Sequence, residues 1–225
     1  MRNLVIAIDG PSGAGKGTVA RTLAERLGYR HVDTGAMYRA VAWKAAHDGV
    51  PLDDNEAVAG VATRAHLDQH GGRVTIDGHD VTRAIRTPEI DKAAAAVAKL
   101  PRVRTVLVDR QRALGAGGAV VMEGRDIGTV VFPDADVKIY LDASAEERAR
   151  RRAADQAHTG GQQASVAHVQ NDLVARDTTD STRAVAPLAL APDAVYVDTT
   201  AMPIEAVVNR ALMLVHEKLA SERQG

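Results

Sequence analysis

Gly10-Pro11-Ser12-Gly13-Ala14-Gly15-Lys16-Gly17-Thr18 is the stretch of this sequence that decides the fold. It follows the apolar run 4–8 and precedes residues 19–27, which have helical periodicity. A strand, a glycine-rich loop, a lysine and a helix in this order wrap a polyphosphate, because glycines let successive backbone N–H groups point at anionic oxygens. The helix start adds its positive dipole end and the ammonium group of Lys16. The stretch therefore predicts an α/β protein with a phosphate-binding loop after its first strand.

The composition suits one α/β domain with insertions, or two small domains. The chain has 225 residues, 45% of them hydrophobic, a net charge of −1 and no cysteine. So small a net charge gives no overall field to attract nucleic acid or an anionic membrane, and no apolar run is long enough to span one. We therefore expect neither partner. The lack of cysteine excludes disulfides and thiolate metal sites, and it makes the cytoplasm the simplest location.

Polar side chains follow two further predicted strands. Residues 29–32 read as a strand that ends in Asp33-Thr34-Gly35 and leads into a helix, which Thr34 is predicted to cap. Residues 119–122 read as another strand, followed by Glu123-Gly124-Arg125-Asp126. In a parallel sheet these strand ends lie at the same edge as the phosphate-binding loop, so the two segments predict a site for a phosphorylated substrate.

The middle of the chain carries a different pattern. Residues 71–82 alternate polar and apolar side chains around Asp77-Gly78, which predicts an antiparallel hairpin inserted as a small subdomain. Further elements are predicted as helices at 53–66, 88–100, 102–114, 165–176 and from about 203, and strands at 137–141 and 194–197. Residues 177–188 are expected to form a polar segment that ends in a proline turn.

A basic helix is predicted after the fourth core strand. Ser144 and Glu147 form a capping box, and Arg148, Arg151 and Arg152 share one face of the helix that follows. A run of charge favours a solvated surface. The alternative is a flap that closes over phosphate, because the polar, glycine-containing segment 155–165 comes next.

The chemistry that these parts permit is phosphoryl transfer. It requires positioning and charge neutralisation, which arginines from separate elements supply, whereas we find no residue placed to hold a hydrolytic water. The chain has no Asn-Lys pair, which argues against a switch GTPase. Magnesium is expected to enter with ATP, and no side chain is assigned to it.

Six motifs together resemble those of the bacterial cytidylate kinase family, over essentially the whole chain. They are GPSGAGKGT (10–18), DTGAMYR (33–39), IRTPEI (85–90), PRVR (101–104), EGRDIGTVVFPDA (123–135) and RDTTDSTRAVAPL (176–188). Gly17 replaces the Ser or Thr of the general phosphate-loop motif, a variant seen among nucleoside monophosphate kinases.

The resemblance implies a three-layer P-loop kinase fold with a five-stranded parallel sheet. It implies one domain with a core (1–33, 101–148 and 173–225), an NMP-binding region with a small antiparallel β insert (34–100) and a lid (149–172). The implied activity is transfer of the γ-phosphoryl group of ATP to CMP or dCMP, with Mg²⁺, in pyrimidine nucleotide metabolism. A monomer is expected.

Site residues follow from the resemblance, position by position. ATP is assigned to Gly10, Pro11, Ser12, Gly13, Ala14, Gly15, Lys16, Gly17 and Thr18. CMP is assigned to Thr34, Arg39, Arg104, Arg125, Asp126, Arg176, Asp180 and Arg183. The catalytic residues implied are Lys16, Arg125 and Arg183. Within the CMP site, the acceptor phosphate is assigned to Thr34, Arg39, Arg125 and Arg183, and the sugar to Arg176 and Asp180.

The implied cytosine contacts are Arg104 and Asp126. They suit the base, because its exocyclic amine donates to a carboxylate while N3 and O2 accept from a guanidinium; uracil would face Asp126 with an oxygen. Some family members add a serine after the Pro88 position, but this chain has Ala93-Ala94-Ala95-Ala96, so that contact is missing or replaced. The remaining alternatives are another small-molecule P-loop kinase and a nucleotide-sensing regulatory module.

Overall fold

The computed structural model describes residues 3–155, 165–183 and 185–221, and a five-stranded parallel sheet is its central layer. The strands in these residues are β1 Val5–Asp9, β2 Arg30–Asp33, β3 Leu67–His70, β4 Arg73–Ile76, β5 His79–Asp80, β6 Val120–Glu123, β7 Val137–Asp142 and β8 Val195–Asp198. The main sheet has the order β2-β6-β1-β7-β8, and every neighbouring pair in it is parallel. The five-stranded parallel sheet expected from the sequence is confirmed.

Helices cover both faces of this sheet. They are α1 Lys16–Leu27, α2 Thr34–His47, α3 Asn55–Arg64, α4 Pro88–Val97, α5 Pro101–Gly115, α6 Ala145–Ala154, α7 Val166–Thr182 and α8 Ile204–Ser221. Successive side chains of β1 alternate between the faces: Ile6 and Ile8 pack with α1 and α8, and Ala7 packs with α2, α3 and α5. No helix in the described part of the chain is both long and apolar enough to cross a membrane.

The predicted hairpin is present and belongs to a three-stranded antiparallel sheet, β3-β4-β5. Strand β3 was not predicted, because Leu67-Asp68-Gln69-His70 has one apolar residue and no clear alternation. Gln69 also ties this insert to the core. Its side-chain amide accepts from the backbone N–H of Asp33 at 3.0 Å and donates to the Asp33 carbonyl at 2.8 Å.

The prediction that Thr34 caps α2 is wrong. Asp33 is the capping residue, and its carboxylate accepts from the backbone N–H of Ala36 at 2.8 Å. The hydroxyl of Thr34 instead donates to the carbonyl of Glu123 at 2.7 Å, which connects the ends of β2 and β6. Of two adjacent residues that can cap, the one at the strand end does so here and the other holds two strand ends together.

The polar segment predicted from residue 177 begins with helix. Helix α7 continues to Thr182, beyond the end expected near Arg176. Thr178 and Thr182 donate their hydroxyl groups to carbonyls one turn earlier, at 2.9 and 2.6 Å, so these residues stay within the helix. Contacts with distant arginines hold Asp177 and Asp180, which a local pattern does not reveal.

A π-helical turn, Ile127–Val131, follows β6 and is fixed by Asp9 at the end of β1. The two carboxylate oxygens of Asp9 accept from the backbone N–H groups of Ile127 and Gly128 at 2.8 and 2.7 Å. Burial outweighs these bonds and raises the pKa of Asp9 to about 6. The carboxylate therefore holds the segment that follows Arg125 and Asp126 in a fixed position.

Gly10, where β1 enters the phosphate-binding loop, lies where a side chain does not fit. Its φ is +142°, and an added Cβ would lie 1.9 Å from the carbonyl oxygen of Leu141. Gly49 after α2 also has a positive φ, +70°, but no atom lies within 4 Å of the position of an added Cβ. Substitutions at the two glycines therefore distinguish the cost of a positive φ, which both positions share, from the cost of a steric clash, which only Gly10 has.

We predict that Gly10→Ala lowers the free energy of unfolding by about 3 kcal/mol, since β1 and β7 must move apart and a positive φ is retained. Gly49→Ala should cost about 1 kcal/mol, since only the positive φ opposes it. Urea unfolding of the two variants measures both values. Equal losses would show that β1 and β7 do not approach as closely as described.

Candidate functional site

A cleft of about 760 Å³ opens at the carboxyl edge of the main sheet. Its walls come from the loop after β1, the start of α2, the end of β6 and the helices α4 to α7. Residues at the start of α8 close one side. Eleven of its lining side chains are arginine or lysine and six are aspartate or glutamate. The excess of positive charge suits a ligand with several phosphates.

The loop Gly10 to Thr18 forms one end of this cleft. Residues 12–18 line it, whereas Gly10 and Pro11 lie behind the surface. Gly13 and Gly15 have φ values of +82° and +89°, which give the loop its curl. The ammonium group of Lys16 donates to the carbonyl of Pro11, within its own loop, at 2.7 Å.

The surroundings of Lys16 within the protein disfavour its charged form. Burial and the nearby Arg125 lower its pKa to about 7, and Glu123 and Asp9 only partly oppose this. Phosphate groups placed at the loop would favour the charged form.

Gly17, the departure from the general motif, faces a carboxylate. An added Cβ there would lie 3.3 Å from Oε1 of Glu123, at the end of β6. His31 on β2 holds the same oxygen, with Nε2 at 2.9 Å. A side chain at residue 17 would push Glu123 aside, which gives a steric reason for the glycine.

Arginine–carboxylate pairs form the centre of the cleft. Arg39 Nη2 contacts Asp33 at 2.9 Å, and Arg125 Nε contacts Asp180 at 2.9 Å. Arg104, 3% exposed, donates to Asp126. Longer pairs join Arg176 to Asp91 at 3.6 Å and to Asp180 at 3.9 Å, and Arg183 to Asp126 at 3.8 Å. All eight residues predicted for the acceptor, Thr34 among them, thus line one cleft, which Lys16 also lines.

The charges in this centre are closely balanced. Burial lowers the pKa of Arg176 to about 10, and Arg125 adds to the shift. Burial by itself also lowers the pKa of Arg125, but the carboxylate of Asp180 more than offsets this and raises it above its ordinary value. In the same way, Arg125 and Arg176 hold the pKa of Asp180 below its usual range despite burial.

Several buried guanidinium nitrogens in the cleft have no hydrogen-bond acceptor among the described residues. They are Nε of Arg39, Arg104 and Arg176, and Nη2 of Arg183. A buried donor without an acceptor costs about 1–3 kcal/mol. The cleft is therefore built for a ligand that supplies acceptor oxygens or nitrogens.

The basic face of α6 is closer to the site than the sequence indicated. The solvated surface predicted for it is wrong for Arg148, which is 7% exposed and donates to the carbonyl of Ser12 at 3.1 Å and to Asp177 at 2.5 Å. Arg151 donates to the hydroxyl and carbonyl of Thr199 at 3.0 and 2.7 Å, and Arg152 donates to Asp91. Residues 156–164, part of the predicted flap, lie outside the described residues.

The sequence missed an apolar wall beside the loop. Met202, Ile204 and Val207 line the cleft, although the last helix was assigned core packing alone. Ile204 is 42% exposed, whereas Val207 and Val208 are buried. One feature of the sequence could have indicated this wall: the apolar stripe begins at Ile204, the first residue of the helix, where packing on the sheet does not require an apolar side chain.

Comparison with known proteins gives matches along the whole chain. The family model described as "Cytidylate kinase" matches residues 6–217. The chain is 50% identical over 221 residues to the cytidylate kinase of Desulfitobacterium hafniense (strain Y51), covering 97% of this chain and 95% of that protein. It is 47% identical over 223 residues to the cytidylate kinase of Solibacter usitatus (strain Ellin6076), covering 99% and 96%.

Solved structures show the same fold at low sequence identity. A gluconokinase from Sinorhizobium meliloti 1021 aligns with a TM-score of 0.50 at 17% identity, over 100% of this chain and 99% of that one. A shikimate kinase from Bacteroides thetaiotaomicron aligns with a TM-score of 0.50 at 14% identity, over 95% and 98%. These two likenesses concern the fold alone.

The shifted pKa of Lys16 predicts a pH dependence of stability. Because the folded pKa of about 7 lies below the ordinary value of 10.5, the unfolded chain binds more protons between these pH values. The ligand-free protein therefore gains stability as pH rises through this window. Lys16→Met should remove that gain. In urea unfolding, the free energy of unfolding of the variant minus that of the wild type should therefore be larger at pH 6.5 than at pH 9.5.

Lys99→Met is the matched control, since it removes an exposed lysine outside the cleft. Its stability should change with pH as the wild type's does. Parallel curves for Lys16→Met and the wild type would mean that Lys16 keeps its charge in the empty cleft.

Proposed function

The chain belongs to the cytidylate kinase family and is an ATP-dependent kinase of CMP and dCMP, and we propose that the cleft described above is where the transfer takes place. The observation that carries this proposal is the juxtaposition of a phosphate-binding loop with a buried arginine–aspartate pair. The first suits the donor and the second suits an amine-bearing base. Family membership over residues 6–217 favours this function over the small-molecule kinase and regulatory-module alternatives.

The donor nucleotide is assigned to the loop end of the cleft. Gly10 to Thr18 enclose the phosphates of ATP with backbone N–H groups, and Lys16 leaves Pro11 to bridge the group that is transferred. The wall formed by Met202, Ile204 and Val207 offers an apolar surface for the adenine ring.

The acceptor phosphate is assigned to Arg39, Arg125 and Arg183, with the hydroxyl of Thr34. Nε of Arg39 and Nη2 of Arg183, which are buried without a hydrogen-bond acceptor, supply donors for phosphate oxygens. Together with Lys16 these groups neutralise the charge of two phosphates that must approach each other in line, which is the main demand of the reaction. Lys16, Arg125 and Arg183 are the catalytic residues that we propose.

The cytosine ring is assigned to Arg104 and Asp126. Their buried pairing fixes the orientation of both groups, and Nε of Arg104 is without an acceptor until a base supplies one. Ala94 and Ala95 of α4 line the cleft within the alanine run that replaces the serine of some family members, so the surface there is apolar. Arg176 and Asp180 then face the sugar.

Magnesium fits this cleft as a companion of the nucleotide. Among the described residues no three His, Cys, Asp or Glu side chains are grouped to hold a metal ion. Mg²⁺ usually keeps phosphate oxygens and waters as ligands with one or two protein oxygens. We propose that Glu123, beside the start of α1, and the hydroxyl of Thr18 are the protein groups nearest to it. The ion would neutralise phosphate charge during transfer.

We propose that the chain divides by function as the sequence suggested: a core (1–33, 101–148 and 173–225), an NMP-binding region (34–100) and a lid (149–172). Arg148, Arg151 and Arg152 connect the lid helix to the loop, to Thr199 and to α4, which supports a role in enclosing ATP. The monomeric state and the cytoplasmic location stay predictions.

A coupled assay with ATP and each monophosphate tests the function. We expect kcat/KM to be highest for CMP and dCMP, lower for UMP, and lowest for AMP and GMP, because uracil faces Asp126 with an oxygen and the purines do not present the amine, N3 and O2 of cytosine together. A higher kcat/KM for AMP or GMP than for CMP would contradict the proposal.

Asp126→Asn tests the base assignment. The amide NH2 of asparagine can only donate and would oppose the amine of cytosine, so kcat/KM for CMP should fall about 100-fold or more, and that for UMP by less than about tenfold. The matched control is Asp180→Asn, which should reduce both by the same factor because the two nucleotides share the ribose. Equal losses for CMP and UMP in Asp126→Asn would show that Asp126 does not read the amine.

A further inference from the structure

Arg86 lines the cleft, and the proposed function has not used it. It belongs to the IRTPEI motif at the entry to α4, within the region assigned to the acceptor. Its side chain is partly buried and shares the cleft surface with Arg39 and Thr34.

The backbone around Arg86 is fixed on both sides. Ile85 is 1% exposed and donates its backbone N–H to the carbonyl of Val81 at 3.0 Å. The N–H of Arg86 donates to Arg83 at 3.0 Å, and Thr87 caps α4 through the N–H of Ile90 at 3.3 Å. The guanidinium of Arg86 is thus presented from a rigid support, which suits a binding group.

Arg86 differs from most arginines of the cleft in having no carboxylate within ion-pair distance. The paired ones are Arg39, Arg104, Arg125, Arg150, Arg151, Arg152, Arg176 and Arg183. Within residues 3–155, 165–183 and 185–221, the guanidinium of Arg86 has neither a hydrogen bond nor an ion pair. It lies near enough to Asp33 to help hold the pKa of that carboxyl below its usual range, but it contributes less than Arg39, the N–H of Ala36 and His31.

Asp33 is already occupied. One of its oxygens accepts from Arg39 Nη2 at 2.9 Å and the other from the N–H of Ala36 at 2.8 Å. One carboxylate therefore faces two guanidinium groups, Arg39 and Arg86. Nε of Arg39 is also buried without an acceptor. This corner of the cleft has an excess of positive charge and unused donors, which an added phosphate would satisfy.

We propose that Arg86 binds the phosphate of the acceptor nucleotide together with Arg39. The inference rests on the proposed function, since it adds a ligand to the acceptor phosphate of the same reaction. Because Asp33 is paired with Arg39, the charge of Arg86 is left free to bind phosphate oxygens, and Arg86 makes no contact with the base.

The experiment compares CMP with cytidine, which has the same base and sugar but no phosphate. In Arg86→Gln, titration calorimetry should show CMP affinity reduced by about 10- to 100-fold, the range expected for a charge-assisted hydrogen bond. Cytidine affinity and the KM for ATP should change less than about twofold. Arg86→Lys should recover part of the loss, because it restores the charge without the planar fork.

Arg83→Gln is the control, since it removes an exposed arginine three residues earlier that does not line the cleft. It should leave the affinity for CMP unchanged, and thermal unfolding verifies that both variants fold. Unchanged CMP affinity in Arg86→Gln, or equal losses for CMP and cytidine, would overturn the inference. These results stand apart from the proposed function, which depends on whether the wild type phosphorylates CMP.

Discussion

A guanidinium that is removed from water needs a carboxylate close to it, and the cleft of this protein is organised by that requirement. Asp33, Asp126 and Asp180 each hold at least one arginine at the carboxyl edge of the sheet. The pairs come from separate elements: a strand end, a helix start, a loop after a strand and a long helix. The fold is therefore what brings them together, and each pair in turn fixes the element that carries it.

The same pairs prepare the cleft for phosphate. Each carboxylate keeps its arginine oriented while no nucleotide is present, and several donor nitrogens remain unsatisfied beside it. In the proposed function, a bound phosphate would not have to order flexible side chains; it would complete contacts that are already half made, which would reduce the entropy lost on binding. Lys16 is also held in place by a contact within the protein, because its ammonium group donates to the carbonyl of Pro11. In the proposed function, a phosphate oxygen would replace that carbonyl as the acceptor.

Local sequence signals predicted most of this framework, and long-range contacts account for the rest. The phosphate-binding loop, the hairpin at Asp77-Gly78 and the polar segment after β6 each depend on neighbours in the chain. The bond made by the Thr34 hydroxyl, the pairing of Asp180 in α7 and the burial of Arg148 depend on partners far away in sequence: Glu123, Arg125 and Asp177. Strand β3 was missed because pairing with β4 and the bond to Asp33 define it, and neither leaves a periodic pattern.

The contact between Gly17 and Glu123 links two positions that lie 106 residues apart and belong to different motifs. A serine or threonine at position 17 would need room that the carboxylate now occupies. During evolution, a residue larger than glycine at position 17 would thus be tolerated more readily once Glu123 had been replaced by a shorter side chain. We therefore expect the two sites to covary among related chains, with a small residue at one wherever the other is large.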